Sequence, residues 1–228
     1  GQFLPRPLPI PVGRPRGRRP ASEPWSCRSA RNLTGHVLPF AVYGALARVV
    51  PDRVTALGGS APSWALALHG RHTEDRPFSL ILFLSGGLGA SASSDGNACV
   101  SFPGLVANVP VELTEHLAPV LIHAKRLRPD SGGVGRQRGG LGQEVVIESV
   151  SKSPMRVSIQ AERIRTPAEG LLGGGPGACG ETLVNDRPAA DSKGVVTLEQ
   201  GDRITLRLPG GGGFGDPRER DPALAARD

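Results

Sequence analysis

The chain has 228 residues, long enough to bury one sizeable hydrophobic core or two small ones, and aromatic residues make up 4% of it. The core is therefore expected to be aliphatic. The formal net charge of +6 comes from residues 1–31, which hold seven Arg and one Glu, so the rest of the chain is neutral; with few aromatic residues for base stacking, we exclude a nucleic-acid-binding protein.

Residues 1–30 are rich in Pro and Arg and show little hydrophobic periodicity. Such a segment closes few backbone hydrogen bonds and buries little surface, so we predict that it is disordered. Three interpretations stay open: a polyproline ligand for a partner domain, a basic arm for an anionic surface, or sequence that is not native to the protein.

An amphipathic helix of about three turns is predicted to begin at Pro39 and to end before Pro51. Its apolar residues are Phe40, Tyr43, Leu46 and Val50. Two strands follow, Trp64–Leu68 and Phe78–Leu84, joined by a polar loop. His69 and His72 in that loop have a metal-ligand spacing, but solvated surface is the better interpretation because nothing fixes a coordination geometry.

Residues 86–89, GGLG, form a glycine loop after a strand. We interpret this loop as a tight turn and not as a phosphate loop, because the lysine of that motif is missing. A short helix is predicted from Asn108, its N-cap, to Leu117, with Glu112 in its first turn. Residues 120–127 are predicted to form a strand.

Asp130, Ser131, Gly132 and Gly133 repeat the tetrapeptide around the nucleophile of chymotrypsin-like proteases. A serine nucleophile needs a histidine base and an orienting carboxylate, and none of the five histidines has a matching sequence setting. The tetrapeptide is therefore predicted to be a turn, in which Asp bonds its own backbone and Gly allows positive φ.

After Gly142 the sequence is all β. Short runs of Val, Ile, Thr and Leu predict strands at residues 144–150, 155–161, 183–185, 194–198 and 203–208. The last two are predicted to pair as a hairpin with its tip at residues 200–202. The fold class is α+β and β-rich: a helix-and-strand part over 31–128 and a β-sandwich-like part over 129–228 of one domain.

Cys27, Cys99 and Cys179 are an odd number with wide spacing, which argues against a disulfide framework and against a CxxC zinc site. We expect a reduced, cytoplasmic protein. No apolar run reaches the roughly 18 residues that span a bilayer, and residues 1–30 have no apolar secretion core, so no membrane partner is expected.

Seven segments, taken together and in order, resemble the C-terminal part of the hydantoinase B family, which includes subunits of ATP-dependent N-methylhydantoinases and 5-oxoprolinases and the related large subunit of acetone carboxylase. The segments are RNLTGHVLPFAVYGALARVVPDRV, GGLGA, DG, FPGLVANVPVE, LRPDSGGVGRQRGGLG, GLLGGGPGACG and VTLEQGDRITLRLPGGGGFGDPRERDP. The resemblance covers residues 31 to about 222. It also supports the hypothesis that residues 1 to about 28 are not native subunit sequence.

The resemblance implies an ATP-dependent hydrolase of small cyclic amides such as hydantoin or 5-oxoproline, built as a hetero-oligomer. ATP would be handled by a hydantoinase A-type partner that phosphorylates the substrate oxygen, and a divalent metal would activate water on the B subunit. The family's metal ligands lie in an N-terminal part with no counterpart in this chain. We therefore expect no cofactor and no metal ligand in this chain, and no activity of the chain alone.

Four residues are candidates for contact with the substrate or a partner, and no catalytic residue is assigned. Asn108 and Glu112 could present an amide and a carboxylate, although helix capping also explains them. Arg136 and Arg138 could bind carboxylate or phosphate, although solvated loop charges are the commoner case. Two alternatives stay open for the whole chain: a non-catalytic β-sandwich scaffold or binding module, and a fragment of an acetone carboxylase-type subunit.

Overall fold

A computed structural model describes residues 26–61, 63–72, 76–104, 106–189, 193–226 and 228, with the backbone alone described for residues 26–33. The described residues form three α-helices: α1 Ser26–Leu46, α2 Val111–Leu117 and α3 Pro222–Ala225. They also form nine strands: β1 Trp64–Arg71, β2 Pro77–Leu84, β3 Val120–Leu127, β4 Gln143–Ser149, β5 Met155–Gln160, β6 Glu181–Val184, β7 Arg187–Pro188, β8 Val195–Leu198 and β9 Arg203–Arg207. The predicted β-rich α+β class is confirmed.

The strands make two sheets with antiparallel pairing. Sheet A has the order β2-β1-β5-β8, and sheet B has the order β3-β4-β9-β6-β7. Each sheet contains strands from both sides of residue 128, because β1 pairs with β5 and β3 pairs with β4. The boundary that we drew between an N-terminal part and a C-terminal part therefore marks no break in the sheets.

The core lies between the two sheets. Alternate side chains of a strand point to opposite faces, so Leu66 and Leu68 of β1 are buried on the same face of sheet A. Ile147 of β4 and Leu206 of β9 are fully buried on the facing side of sheet B and belong to the same cluster. As expected from the composition, this cluster is almost entirely aliphatic.

The predicted hairpin of β8 and β9 is wrong. β8 pairs with β5 in sheet A, whereas β9 pairs with β4 and β6 in sheet B. The turn signal is real, since Gly201 has φ 87° and its N–H donates to the Ser149 carbonyl at 2.8 Å. A turn reverses the chain but does not choose the strand's partner, and here both strands bury their apolar faces in one core from opposite sheets.

Both predicted helix starts are also corrected. α1 begins at Ser26 and continues through Pro39, so residues 26–30 of the segment that we predicted to be disordered are helical; residues 1–25 lie outside the described part. Pro39 removes one helical hydrogen bond, to Gly35, and exposed Gly35 can bond to water instead. The N-cap of α2 is Pro110 and not Asn108, while Glu112 lies in the first turn as predicted.

Candidate functional site

Four glycine-rich segments meet at one place, and we name them the glycine-loop cluster: residues 86–89, 132–142, 170–177 and 210–215. The last segment lies among the other three. Gly211 N–H donates to the Gly140 carbonyl at 2.9 Å, Gly213 N–H donates to Gly175 at 2.9 Å, and the Gly212 carbonyl accepts from Ala90 at 2.9 Å. Backbone groups of the cluster therefore bond to one another.

Glycine is needed in the cluster because there is no room for a side chain. A Cβ atom on Gly210 would lie 1.7 Å from the Ser131 carbonyl oxygen, and one on Gly213 would lie 2.0 Å from the Val134 carbonyl oxygen. Neither residue has a positive φ, so conformational freedom is not the reason. The backbone of residues 210–213 therefore approaches other backbone segments of the same chain closely.

Two candidate motifs lie inside this cluster, the glycine loop at residues 86–89 and the tetrapeptide that contains Ser131, and their polar groups bond within the chain. Gly87 N–H donates to Pro209 at 3.0 Å and Leu88 N–H donates to Asn97 at 2.9 Å, so these amides are not free to hold a phosphate. Ser131 is fully buried, donates to the Arg128 carbonyl at 2.7 Å and accepts from Gly142 N–H at 2.9 Å. Ser131 thus fixes a turn and is not positioned as a nucleophile. The turn was predicted, but its positive φ lies at Asp130 (54°) and not at a glycine.

An ionic cluster holds the last residues of the chain against the glycine loops. The Arg220 guanidinium donates to both Asp95 oxygens, at 3.0 and 2.9 Å, and to both Asp228 oxygens, at 2.8 and 3.1 Å. These hydrogen bonds, above all those to Asp95, raise the pKa of Arg220, and the bond from Arg220 lowers the pKa of Asp95. With 10% of its side chain exposed, Arg220 is the centre of the cluster.

Arg136 and Arg138 both lie in this ionic cluster. The backbone N–H of Arg138 donates to Asp95 Oδ1 at 2.7 Å. The side-chain Nε of Arg138 is 3.1 Å from Asp228 Oδ1, although the angle is not that of a hydrogen bond. Arg136 Nη2 donates to the Ala92 carbonyl at 3.3 Å and its carbonyl accepts from Arg220 at 3.1 Å. The two guanidinium groups are thus engaged within the chain, and a substrate or interface role for them stays a prediction.

Asn108 and Glu112 lie apart from the two arginines, with no hydrogen bond or ion pair to them among the described residues. Asn108 Nδ2 donates to the Cys99 carbonyl at 3.5 Å, and its Oδ1 accepts from Gln143 Nε2 at 3.4 Å. Glu112 is exposed. The four predicted residues therefore do not form one hydrogen-bonded group among the described residues, and the contacts of Asn108 replace the capping role that we considered for it.

Lys125 beside Asn108 was missed by the sequence analysis. Lys125 Nζ donates to the Val109 carbonyl at 2.6 Å, and burial lowers the pKa of Lys125 while burial raises the pKa of the neighbouring Cys99 thiol. One lysine in a loosely alternating strand gives no signal of this environment. The pairing of Asp95 with Arg220 was also missed, because the two residues are far apart in the sequence and no local pattern connects them.

The face of sheet B carries two further sets of charges. Glu144 accepts from Arg207 Nε at 2.8 Å and from Arg126, and the Arg207 bond is the larger cause that lowers the pKa of Glu144. His123 Nε2 lies 2.7 Å from Glu148 Oε2, but the same carboxylate oxygen accepts from Arg203 at 2.8 Å. The His123–Glu148 pair is therefore part of an ionic network and has no nucleophile among its bonded partners.

A pocket of about 300 Å³ lies at one end of β5 and β8. Its polar lining includes Ser158, Gln160 and the ion pair of Lys193 with Glu162, which are 2.5 Å apart. Among the described residues, no group of three or more His, Cys, Asp or Glu side chains could hold a metal ion. In the part of the chain that the structure describes, no helix is long and apolar enough to cross a membrane.

Two solved structures share this two-sheet architecture. An acetone carboxylase in its nucleotide-free form superposes with a TM-score of 0.66 at 20% identity over 80% of this chain and 29% of its own, a likeness of fold. The ATP-dependent caprolactamase of Pseudomonas jessenii superposes with a TM-score of 0.69 at 29% identity, over 81% of this chain and 34% of that one.

Sequence comparison gives the family. The model of the Hydantoinase B/oxoprolinase family matches residues 11–217, and the chain therefore belongs to that family. The caprolactamase subunit beta of Pseudomonas jessenii is 31% identical over 91% of this chain and 38% of that subunit. An uncharacterised protein of Methanocaldococcus jannaschii, MJ0963, is 40% identical over 53% of this chain and 22% of its own length.

The chain thus spans 22% and 38% of these two relatives. 5-Oxoprolinase 1 of Arabidopsis thaliana is 34% identical over 62% of this chain, which covers 11% of that enzyme. The predicted family is confirmed.

Proposed function

We propose that this chain is the scaffold portion of a hydantoinase B-type subunit in an ATP-dependent hydrolase of small cyclic amides. The observation that supports this most strongly is the similarity to caprolactamase subunit beta, which extends over 91% of the chain. Caprolactam and 5-oxoproline are both cyclic amides, so the caprolactamase and the 5-oxoprolinase share one reaction type. The identity to the caprolactamase favours hydrolysis over carboxylation, because the acetone carboxylase supports only the fold.

A scaffold role agrees with how the polar groups are used. Ser131 and the amides of residues 87 and 88 make internal hydrogen bonds, and the arginines of the ionic cluster bind carboxylates of the same chain. A catalytic centre needs a nucleophile, an acid or base and a stabilising donor aimed at one point. The described residues instead provide a network of backbone hydrogen bonds in the glycine-loop cluster. This network can support the catalytic residues of a complete enzyme.

We further propose that the chain works with a hydantoinase A-type subunit that handles ATP, as a hetero-oligomer. No ligand set for a divalent metal fits the described residues, so we assign no metal to this chain and derive no step through one. The contribution of this chain is then to position the partner and the substrate. Asn108, Glu112, Arg136 and Arg138 are each exposed or half-exposed, and we propose them for that contact.

Reconstitution tests this proposal. Ring opening of caprolactam, hydantoin and 5-oxoproline is measured with ATP for the chain alone, for the chain with an A-type subunit, and for both with the remaining portion of a B-type subunit. We expect product in the third mixture only. Activity of the chain alone would contradict the scaffold assignment, and a third mixture that binds its components but stays inactive on all three substrates would contradict the reaction class.

A further inference from the structure

The pocket of about 300 Å³ lies on the outer face of sheet A, where β5 and β8 pair, and we name it the β5–β8 pocket. Ser158 points to this face because its neighbours Val157 and Ile159 are buried in the core. Ser158 lies between Ala67 of β1 and Val195 of β8, and the small side chains at positions 67 and 158 leave a depression in the sheet. The volume is at the lower end of the range for small-molecule sites.

The lining of the β5–β8 pocket carries one positive and one negative charge, on Lys193 and Glu162. Lys193 Nζ donates to Glu162 Oε1 at 2.5 Å, and the exposed fractions of the two side chains are 55% and 29%. The buried Trp64 donates from Nε1 to the Glu162 carbonyl at 2.9 Å, which anchors the backbone that carries this acid. An exposed ion pair contributes little to stability, so this pair can open when a ligand competes for it.

The pocket also offers uncharged contacts. The Ser158 hydroxyl and the Gln160 amide can each donate and accept hydrogen bonds. The Ser63 hydroxyl lines the pocket as well, bonded to Ser101 Oγ at 2.5 Å, and Val195 adds an apolar side chain. Polar groups that converge beside apolar surface are typical of small-molecule sites.

The two charges decide which ligand fits. A carboxylate that binds Lys193 alone would be repelled by Glu162, and an amine that binds Glu162 alone would be repelled by Lys193. A ligand with an ammonium and a carboxylate on the same carbon avoids both repulsions, because each of its charges meets the opposite charge of the pair. One ion pair within the protein is then replaced by two ion pairs with the ligand.

We propose that the β5–β8 pocket binds an α-amino acid, with its carboxylate on Lys193, its ammonium on Glu162 and its side chain against Val195. Phosphates and nucleotides are less favoured ligands, because the pocket is small and Glu162 repels anions. A neutral cyclic amide has no charge with which to separate the ion pair.

This ligand class is connected with the proposed reaction, and the connection rests on the proposed function. Hydrolysis of a cyclic amide breaks the C–N bond; water supplies the oxygen of a new carboxylate and two protons to the nitrogen, which becomes an ammonium. In 5-oxoproline this ammonium forms on the carbon that already carries a carboxylate, which gives glutamate. In caprolactam the two charges form at opposite ends of the product. The pocket would therefore hold the product of a 5-oxoproline-type ring and not the ring.

The test measures binding to the whole chain alone, without turnover. Isothermal titration calorimetry compares 2-aminopentanoate with two singly charged analogues, pentanoate and 2-aminopentane, and amide NMR shifts at Gly194 and Val195 locate the site. We expect 2-aminopentanoate to bind at least about tenfold more tightly than either analogue, because each analogue loses one charge-assisted hydrogen bond. Glutamate is likewise expected to bind at least about tenfold more tightly than 5-oxoproline.

Variants of the ion pair test its role. Lys193→Met and Glu162→Gln should each weaken binding of 2-aminopentanoate by at least about tenfold, whereas Lys193→Arg, which keeps the charge, should retain binding. Lys152→Met is the matched control, because Lys152 is exposed and lies outside the pocket lining.

A second pair of variants tests the space. Ser158→Leu should abolish binding because the larger side chain fills the depression. Thr197→Leu is its control, since Thr197 is exposed on β8 outside the pocket lining. Thermal unfolding shows whether each variant is folded, and Lys193→Met keeps the test valid if Ser158→Leu is not.

Several results would overturn the proposal. Equal affinity for 2-aminopentanoate and pentanoate would remove the argument from the two charges, and binding that survives in both Lys193→Met and Ser158→Leu would place the site elsewhere. The absence of NMR shifts at Gly194 and Val195 with all three compounds would mean that the pocket binds no ligand of this class. Loss of binding when the remaining portion of a B-type subunit is added would make that portion the occupant.

The connection with ring opening has its own outcome. Glutamate that binds no more tightly than 5-oxoproline would overturn this connection. Because binding needs no turnover, this result is distinct from a reconstituted enzyme that stays inactive, which would contradict the proposed function.

Discussion

The two sheets and the glycine-loop cluster are held together by different forces. Between the sheets, aliphatic side chains such as Leu66, Ile147 and Leu206 exclude water and provide most of the stabilisation. In the glycine-loop cluster, backbone amides and carbonyls bond to one another across segments that are far apart in the sequence. In the core, side chains can change rotamer to accommodate a small substitution. In the glycine-loop cluster the contacts are between backbone atoms, so an added Cβ atom can be accommodated only if the backbone shifts.

The largest effect is expected from Gly210→Ala. Its new Cβ atom would meet the Ser131 carbonyl oxygen at 1.7 Å, and both sides of that contact are backbone, so we expect a loss of more than about 3 kcal/mol of unfolding free energy. Gly44→Ala is the matched control, because Gly44 lies in α1 with open space around it, and it should stabilise the helix by up to about 1 kcal/mol. Denaturant unfolding measures the free energy of unfolding of both variants. Equal effects would contradict the close backbone packing of the glycine-loop cluster.

A loss of comparable size but of a different cause is expected in the core between the sheets. Leu206→Ala should cost about 2–5 kcal/mol, because Leu206 is fully buried and leaves a cavity. Leu121→Ala on β3, where 42% of the side chain is exposed, should cost less than about 1 kcal/mol. If the two variants had the same midpoint in urea, the assignment of the core to the space between the sheets would be wrong.

Asp95→Asn should remove the charge-assisted bonds to Arg220 and cost about 1.5–3 kcal/mol at neutral pH. The pKa of Asp95 is lowered from 3.8, so ionised Asp95 stabilises the fold above that pH and its contribution is lost as the pH falls through the lower folded value. The difference between wild type and variant should therefore shrink below about pH 4. Exposed Asp52→Asn is the control, and a constant difference for Asp95→Asn at all pH values would contradict the role of the ion pair.

The smallest effect on stability is expected from Arg136→Ala. Its ion pair with Glu219 has a separation of 3.8 Å and is partly exposed, so the change should cost less than about 1 kcal/mol. If Arg136 contacts the substrate or the partner, the same variant should lower kcat/KM of the reconstituted enzyme by at least about tenfold. Arg218→Ala, on an exposed side chain in the same region, is the control; equal activity of both variants would remove Arg136 from the site.

Sequence patterns predicted elements where the signal is local. β3 was predicted with its full range, because its alternation is bounded by Pro119 and Pro129. The close approach at residues 210–213 was also predictable, since four consecutive glycines are typical of backbone that packs without side chains. In both cases the residues that determine the structure are close together in the sequence, and a sequence pattern depends only on such residues.

Long-range pairing was not predictable from the same patterns. The turn around Gly201 was recognised, but whether β8 and β9 pair with each other depends on β5, β4 and β6. The bond between Asp95 and Arg220 joins residues of a loop and of a C-terminal segment that show no shared motif. The start of α1 was misplaced because proline is a stronger signal for a helix start than for a helix interior.

The arrangement of β4 between β3 and β9 has a consequence for synthesis on the ribosome. β3 and β4 leave the ribosome before β9 and can pair, but the other side of β4 stays open until β9, about sixty residues later, has been translated. During that interval an unpaired strand edge and part of the aliphatic interior are accessible to other chains. We therefore expect nascent chains that stall before β9 to need chaperones, and pulse proteolysis of stalled chains should show protection only after β9 emerges.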